Sequence, residues 1–342
     1  MNDMKGYILQ QIKALTAIPS PTGMTGAAES YVFDALTEMG FAPVRTRKGT
    51  VICALGGEGT GIILSAHLDT LGAVVRSVKP NGRLRFSPLG GYSFNSVENE
   101  NVIIHTREGR NFTGTVQSVY ASRHVWGSED TPDKRDDKTL EIVPDERTWS
   151  EQETRALGIS AGDIVSFDPR TVVTESGFIK SRHLDDKAAA AILLALARAC
   201  ADGSLLLRRK TYLVFTVYEE IGHGASELYQ YDAGDFLAID MGCVGDDLGG
   251  REDKVSICAK DAAGPYDFGF TNEIIAHAKA LGLPYAVDVY PRYSSDTATA
   301  LKAGLNARFA LIGPGVFASH AYERTHIDGV MAAYRLAESV IR

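Results

Sequence analysis

The apolar residues change period several times along the chain, and each change marks an element. Ile8, Leu9, Ile12, Leu15 and Ile18 recur at helical spacing and predict an amphipathic helix over residues 4–17. Pro19-Ser-Pro-Thr-Gly23 closes it, because proline cannot continue a helix. Tyr31, Val32, Leu36 and Met39 share one face of a second helix over 27–39, ended by Gly40. Strands at 41–47 and 51–55 meet at Lys48-Gly49. Nearly continuous apolar runs then appear at 62–66, 212–217, 235–239 and 307–312. Such runs read as strands buried on both faces of a mostly parallel sheet. Further strands are expected at 255–260 and 285–290. Helical spacing returns at 187–200, at 271–281 with Thr271 as cap, from Ser294 to Leu301, and at 327–341. Strands alternating with helices predict an α/β fold.

The stretch 73–168 has a different rhythm. Short strands are predicted at 74–78, 84–86, 102–106, 112–120 and 164–167, with turns at Asn81-Gly82 and Glu108-Gly109. This spacing predicts a small β-barrel or sandwich inserted into a main domain made of 1–72 and 169–342. An extension of the main sheet is the plainer alternative. Residues 129–154 are highly charged, hold Pro132 and Pro144, and read as an exposed loop followed by a short helix.

Composition mostly excludes. The 342 residues are 44% hydrophobic and 23% charged, as in an ordinary globular protein. A net charge of −8 argues against nucleic acid as the main partner, since a phosphate binder needs a basic footprint. Cys53, Cys200, Cys243 and Cys258 are far apart, without a CxxC pair, and read as free thiols in a reducing compartment. Residues 1–7 show no charged-then-apolar leader pattern, and no apolar run reaches bilayer length. The expected location is cytoplasmic.

The candidate chemistry lies where the apolar runs stop. Tyr212-Leu-Val-Phe-Thr-Val-Tyr runs into Glu219-Glu220 and a glycine turn; Ile62-Ile-Leu-Ser-Ala runs into His67-Leu-Asp69. Phe236-Leu-Ala-Ile ends in Asp240, His320 sits in the loop after 307–312, and Asp185-Asp186 precede a helix. In parallel sheets, chemistry gathers at the carboxyl ends of strands. Each feature alone has a bland reading: two solvated glutamates, a surface histidine, two helix-capping aspartates. Together, five elements place an acid or a histidine at one expected crevice. Two divalent ions sharing one carboxylate, each with a further carboxylate and a histidine, need this set. Nitrogen and oxygen ligands without thiolate suit Zn²⁺ first, then Co²⁺ or Mn²⁺.

The order His67-x-Asp69, Leu184-Asp-Asp-Lys187, Glu219-Glu220-x-Gly222, Ile239-Asp240-x-Gly242 and Ser319-His320-x-x-Glu323 closely resembles that of co-catalytic aminopeptidases of the glutamyl and tetrahedral type. Members of that family also carry the names cellulase M and endoglucanase. The resemblance spans essentially the whole chain. It implies a three-layer α/β/α, phosphorylase/hydrolase-like zinc-peptidase domain, with 73–168 as an inserted oligomerisation barrel. It further implies that Asp185 bridges two metals. His67 and Asp240 complete one; Glu220 and His320 complete the other. Glu219 is the general base, and Asp69 accepts a hydrogen bond from His67. Peptide substrates and a homo-oligomer, often a dodecamer, are implied too. The pattern departs from the family at Lys187 and His183 around the aspartates, at Ser319-His320-Ala-Tyr-Glu323, and at Ser294-Ser-Asp296-Thr. Competing readings are a glycoside hydrolase using paired carboxylates, a related co-catalytic deacylase or carboxypeptidase, and a non-catalytic binding protein on the same scaffold.

Overall fold

The computed structural model describes residues 2–127, 129 and 132–342. Met1, Ser128, and Asp130 and Thr131 of the expected charged loop lie outside the described residues. The chain divides into two compact units, one running up to Asp69 and resuming as Arg170–Arg342, the other Thr70–Pro169. The boundary falls at residue 70 rather than 73, because Gly72 already belongs to a barrel strand.

The first unit opens with α1 (Asn2–Ala17) and α2 (Gly26–Glu38), then β1 (Val44–Arg45), β2 (Val51–Gly56) and β3 (Ile62–His67). The second unit contains β4 (Gly72–Val78), β5 (Leu84–Leu89), β6 (Asn101–His105), β7 (Asn111–Ser118), β8 (Leu140–Pro144), α3 (Glu151–Ala156) and β9 (Ile164–Phe167). Its strands close into a barrel in the order β4-β5-β8-β7-β6-β9, which leaves no sheet edge. Val75, Phe86, Ile104, Val116, Ile142 and Val165 fill its core. Strand β8 corrects the expected loop across 129–154. Leu140 and Ile142 are buried in the barrel, and the buried Glu141 carboxylate pairs with Lys79 and Arg83. The charged flanks and Pro144 hid a short strand.

The first unit resumes with β10 (Val172–Val173), β11 (Phe178–Ser181), α4 (Leu184–Ala201), β12 (Thr211–Thr216), β13 (Asp235–Ile239), β14 (Gly242–Val244) and β15 (Val255–Lys260). It ends with α5 (Phe268–Ala280), β16 (Tyr285–Val289), α6 (Asp296–Lys302), β17 (Arg308–Phe317), β18 (Glu323–His326) and α7 (Ile327–Ile341). Helix α5 starts earlier than expected, because Asp267 rather than Thr271 caps it by accepting from the Phe270 amide. The mixed sheet runs β1-β2-β12-β3-β13-β17-β18-β11-β10, with β14 and β15 also on β17 and β16 on β15. Its centre, β12-β3-β13-β17, is parallel.

Alternation sorts the strand residues onto two faces. Ile62, Leu64, Leu213, Phe215, Leu237 and Ile239 pack with α1, α2, α4, α5 and α7. Ile63, Val214, Phe236 and Leu311 pack on the other face with Ala225, Leu228 and Ala300 of α6. The thinner face, built of one short helix and turns, leaves room for a site. No described helix is long and apolar enough to cross a membrane.

Candidate active site

Strands β12, β3 and β13 are parallel, so their carboxyl ends share one edge. His67 closes β3, and its register partner is Thr216, the last residue of β12. Asp240 and His67 each stand two residues beyond the paired Ala238 and Ser65, so sheet register alone brings them to one level. The other groups need special backbone. Tyr218, immediately before Glu219-Glu220, is left-handed at φ 70°, and His320 itself has φ 64°. For residues with a Cβ this conformation costs about 1–2 kcal/mol and is found where function fixes a turn. Asp185 and Asp186 fall at the start of α4 but are not helical (φ −77°, ψ 101° and φ −122°, ψ 31°), and the peptide between them is cis. They do not form a helix cap. Instead, Asp185 turns toward the strand ends.

Two clusters meet at Asp185. In one, ligand atoms of His67, Asp185 and Asp240 lie within 4.8 Å of one another; in the other, those of Asp185, Glu220 and His320 do so. His67 Nε2 is 3.0 Å from Asp185 Oδ1, while His320 Nε2 is 3.3 Å from Oδ2 and 3.6 Å from Glu220 Oε2. The two Asp185 oxygens thus face different histidines. Glu219 stands beside the clusters, its Oε2 3.8 Å from His67 Nε2. Every donor is nitrogen or oxygen, and buried Glu220 Oε1 has no hydrogen-bond partner among the described residues. Such an orphaned oxygen is costly unless something else binds it, and the donor set fits divalent cations.

The electrostatics are those of acids crowded out of water. Burial, helped by Asp185, pushes Glu220 up to about 8 and Asp240 up to about 7. Burial also raises Glu219 well above the usual range, with Asp240, Asp296 and Glu220 adding to it against His67. Asp185 goes the other way: burial opposes its charge, but the bonds from His320 and His67 win and hold it well below the usual range.

Asp69 differs from expectation. The His67 ring bonds through Nδ1 to the Asp69 backbone carbonyl at 2.9 Å, leaving the carboxylate 3.7 Å away. That contact still fixes the tautomer that frees Nε2. The carboxylate is taken by the Glu219 amide (3.1 Å), the Glu220 amide (3.3 Å) and the Thr22 hydroxyl (2.7 Å). A 3₁₀ turn leaves such amides orphaned, and two of them compete better for a buried carboxylate than one ring nitrogen.

Several supporting residues were not assigned roles from sequence. Glu323 accepts from the Asp185 amide (3.1 Å) and the His320 amide (3.0 Å), tying two members of the clusters to one carboxylate. Thr22 lies in the Pro-Ser-Pro-Thr-Gly stretch that reads only as a helix stop. Lys187, fully buried, donates to Ser20 Oγ and the Leu68 carbonyl, both at 2.6 Å, and burial brings its amine down to about 7. Apart from the Glu323 bond to the His320 amide three residues away, these contacts are long-range, and no local spacing announces them. Beside the clusters lies a cavity of about 570 Å³, walled by Met241, Leu248, Tyr290, Arg292 and Tyr293. His223 is exposed and does not line it.

The chain matches the M42 glutamyl aminopeptidases over residues 49–336. This protein belongs to that family. A relative from Bacillus subtilis (strain 168), named "Putative aminopeptidase YhfE", is 42% identical over 320 residues, covering 93% of this chain and 92% of its own. Among solved structures, the TET aminopeptidase of a marine sediment archaeon of the Thaumarchaeota superposes with a TM-score of 0.89 at 19% identity, covering 98% of this chain and 96% of that one. The TET1 peptidase of Pyrococcus horikoshii gives 0.84 at 20%, covering 98% and 99%. At such identities the structural likeness establishes the fold: the M42 mixed α/β sheet with its barrel.

Proposed function

We propose that this M42 aminopeptidase removes N-terminal residues from peptides with two divalent ions held across Asp185. The observation that carries the reading is that Asp185 belongs to both clusters, each completed by one histidine and one carboxylate. His67 and Asp240 would hold one ion, Glu220 and His320 the other, with Zn²⁺ the first candidate and Co²⁺ or Mn²⁺ next. When bound, such ions supply Lewis acidity, polarising the scissile carbonyl and making water more acidic. Glu219 does the proton work: it takes the proton of the attacking water and returns it to the leaving amine. Its place beside both clusters, with Oε2 3.8 Å from His67 Nε2, would put it within reach of a water held there. The free α-amino group of the peptide would bind at one of the ions, which restricts cleavage to N-terminal residues, and the adjoining cavity receives the side chain.

The glycoside hydrolase reading has no support in this geometry. Glu219 and Glu220 are consecutive in one turn and share the grip of Asp69, rather than facing each other across a bond. The four unpaired cysteines fit a reducing cytoplasm. Self-association through the barrel unit, with a dodecamer as first candidate, is proposed by analogy with the P. horikoshii TET1 peptidase, which can assemble into a tetrahedron or a large octahedral shell. A light-scattering mass tests it.

The decisive experiment is Glu219→Gln. Turnover of aminoacyl-p-nitroanilides should fall about 10²–10⁴-fold, the usual contribution of a general base, with metal content unchanged. Wild-type turnover in that variant removes the base and the mechanism with it.

A further inference from the structure

We propose that Asp296 is a positioning residue that sets the turn carrying the base. Asp296 is buried, and its two carboxylate oxygens bond to residues on opposite sides of Glu219-Glu220. One accepts from the hydroxyl of Thr216, the last residue of β12. The other accepts from the Ala225 amide at 2.9 Å. A single carboxylate therefore closes the chain from Thr216 to Ala225 into a loop, with Glu219 and Glu220 inside it. Asp69 grips the same turn from its own side through the amides of Glu219 and Glu220.

The fit around Asp296 is tight. A Cβ on Gly224 would fall 1.8 Å from Asp296 Oδ1, so the turn approaches the carboxylate as closely as a glycine permits. The same helix adds a second tie, from Thr299 Oγ1 to the Gly222 carbonyl at 3.2 Å. Outside the turn, Lys48 Nζ donates to the carbonyls of His223 (2.8 Å) and Gly224. The turn needs such anchors because it contains left-handed Tyr218 and Gly222 (φ 70° and 76°) and carries no apolar side chain buried in the core between Tyr218 and Gly224. Helix α6 and the residues before it also line the cavity through Tyr290, Tyr293, Ser295 and Thr299. Asp296 thus holds the base in register with the wall that receives the substrate.

This inference rests on Glu219 being the base, so Glu219→Gln is run beside the test. Asp296→Ala should lower kcat about 10²-fold, the size expected when a reacting group is misplaced by about 1 Å. KM should stay within about twofold, and with metal supplied in excess the metal content should match the wild type, although Glu220 shares the turn. Asp296→Asn keeps an acceptor for Ala225 and should recover kcat to within about tenfold of wild type. Should Asp296→Ala fail to fold, Thr216→Val is the alternative, with a kcat loss of about three- to tenfold at unchanged KM. Wild-type kcat in whichever of the two folds, a loss that follows metal content, or no recovery in Asp296→Asn overturns the inference. If Glu219→Gln keeps its turnover, the proposed function fails instead, whatever Asp296 does.

Discussion

The two halves of the centre are built by different means, although they share Asp185. His67 and Asp240 come from the ends of adjacent parallel strands, and both are buried. No unusual backbone is needed to bring them together. Glu220 and His320 come from turns, Glu220 two residues from left-handed Tyr218 and Gly222 and His320 itself left-handed, and the His320 side chain is 37% exposed against 2% for His67. Their backbone amides are each held by a buried carboxylate, Asp69 for Glu220 and Glu323 for His320. Sheet register brings the inner pair to one level, and His67 is tied further by its amide to the Asp186 carboxylate (3.2 Å) and by its ring to the Asp69 carbonyl. The outer half needs anchors, and in return stays open to water and substrate.

The largest effect that could break this contrast comes from removing one histidine from each half. His320→Ala should keep one equivalent of metal bound tightly and lose the second. His67→Ala should weaken both, because His67 makes the shorter contact to Asp185 (3.0 Å against 3.3 Å from His320) and, unlike His320, is buried, so its loss leaves a cavity beside the shared carboxylate. Both should lower kcat by about 10³-fold, since losing an ion removes several kcal/mol of charge stabilisation. Metal stoichiometry after gel filtration separates them. Equal loss of metal in the two variants would show that the halves are not distinct.

The same contrast explains what was legible in the sequence. His67 and Asp240 stand at the ends of apolar runs, where strand length and a terminal His or Asp are visible locally. Glu219 and Glu220 were visible for the same reason. The roles of Glu323, Thr22 and Lys187 were not, because each acts through a partner more than forty-five residues away. Asp69 shows the limit most clearly. Its spacing from His67 suggested a side-chain contact, but the Glu219 and Glu220 amides, supplied by a distant strand end, claimed its carboxylate. In the other unit, β8 was hidden because acidic and proline residues flank its two buried apolar positions.

A smaller effect sharpens the role of the anchors. Glu323→Gln preserves shape but replaces one amide-accepting oxygen with a donor, so the Asp185 or the His320 amide loses its partner. Substitutions of groups that orient metal ligands usually cost about 10–100-fold in affinity. We expect about tenfold weaker binding of the second ion, read by titration into metal-free protein. Unchanged binding would mean that the turn bearing His320 holds itself.

The smallest effect is a pH dependence that the two halves should not share equally. Glu220 sits at about 8 and Asp240 at about 7, against ordinary values of 4.5 and 3.8. Both acids are raised in the folded, metal-free protein, so between about pH 4 and pH 8 the folded state binds more protons than the unfolded chain. Metal-free protein should therefore lose stability as pH rises through that window. Lys187, at about 7 in the folded protein, opposes this slope in the upper part of the window, because its folded form loses a proton that the unfolded chain keeps. Cations must displace the protons on the acids, so affinity falls as pH is lowered, and the inner half, where Asp240 and His67 both hold protons more tightly than usual, should show the steeper dependence. Thermal unfolding with and without chelator tests the first statement: the gap between metal-free and loaded protein should widen as pH rises toward 8. Metal titrations across the same window test the second. If both ions weaken in parallel on acidification, the acids of the two halves titrate as one group, and the difference between the halves is confined to exposure and backbone.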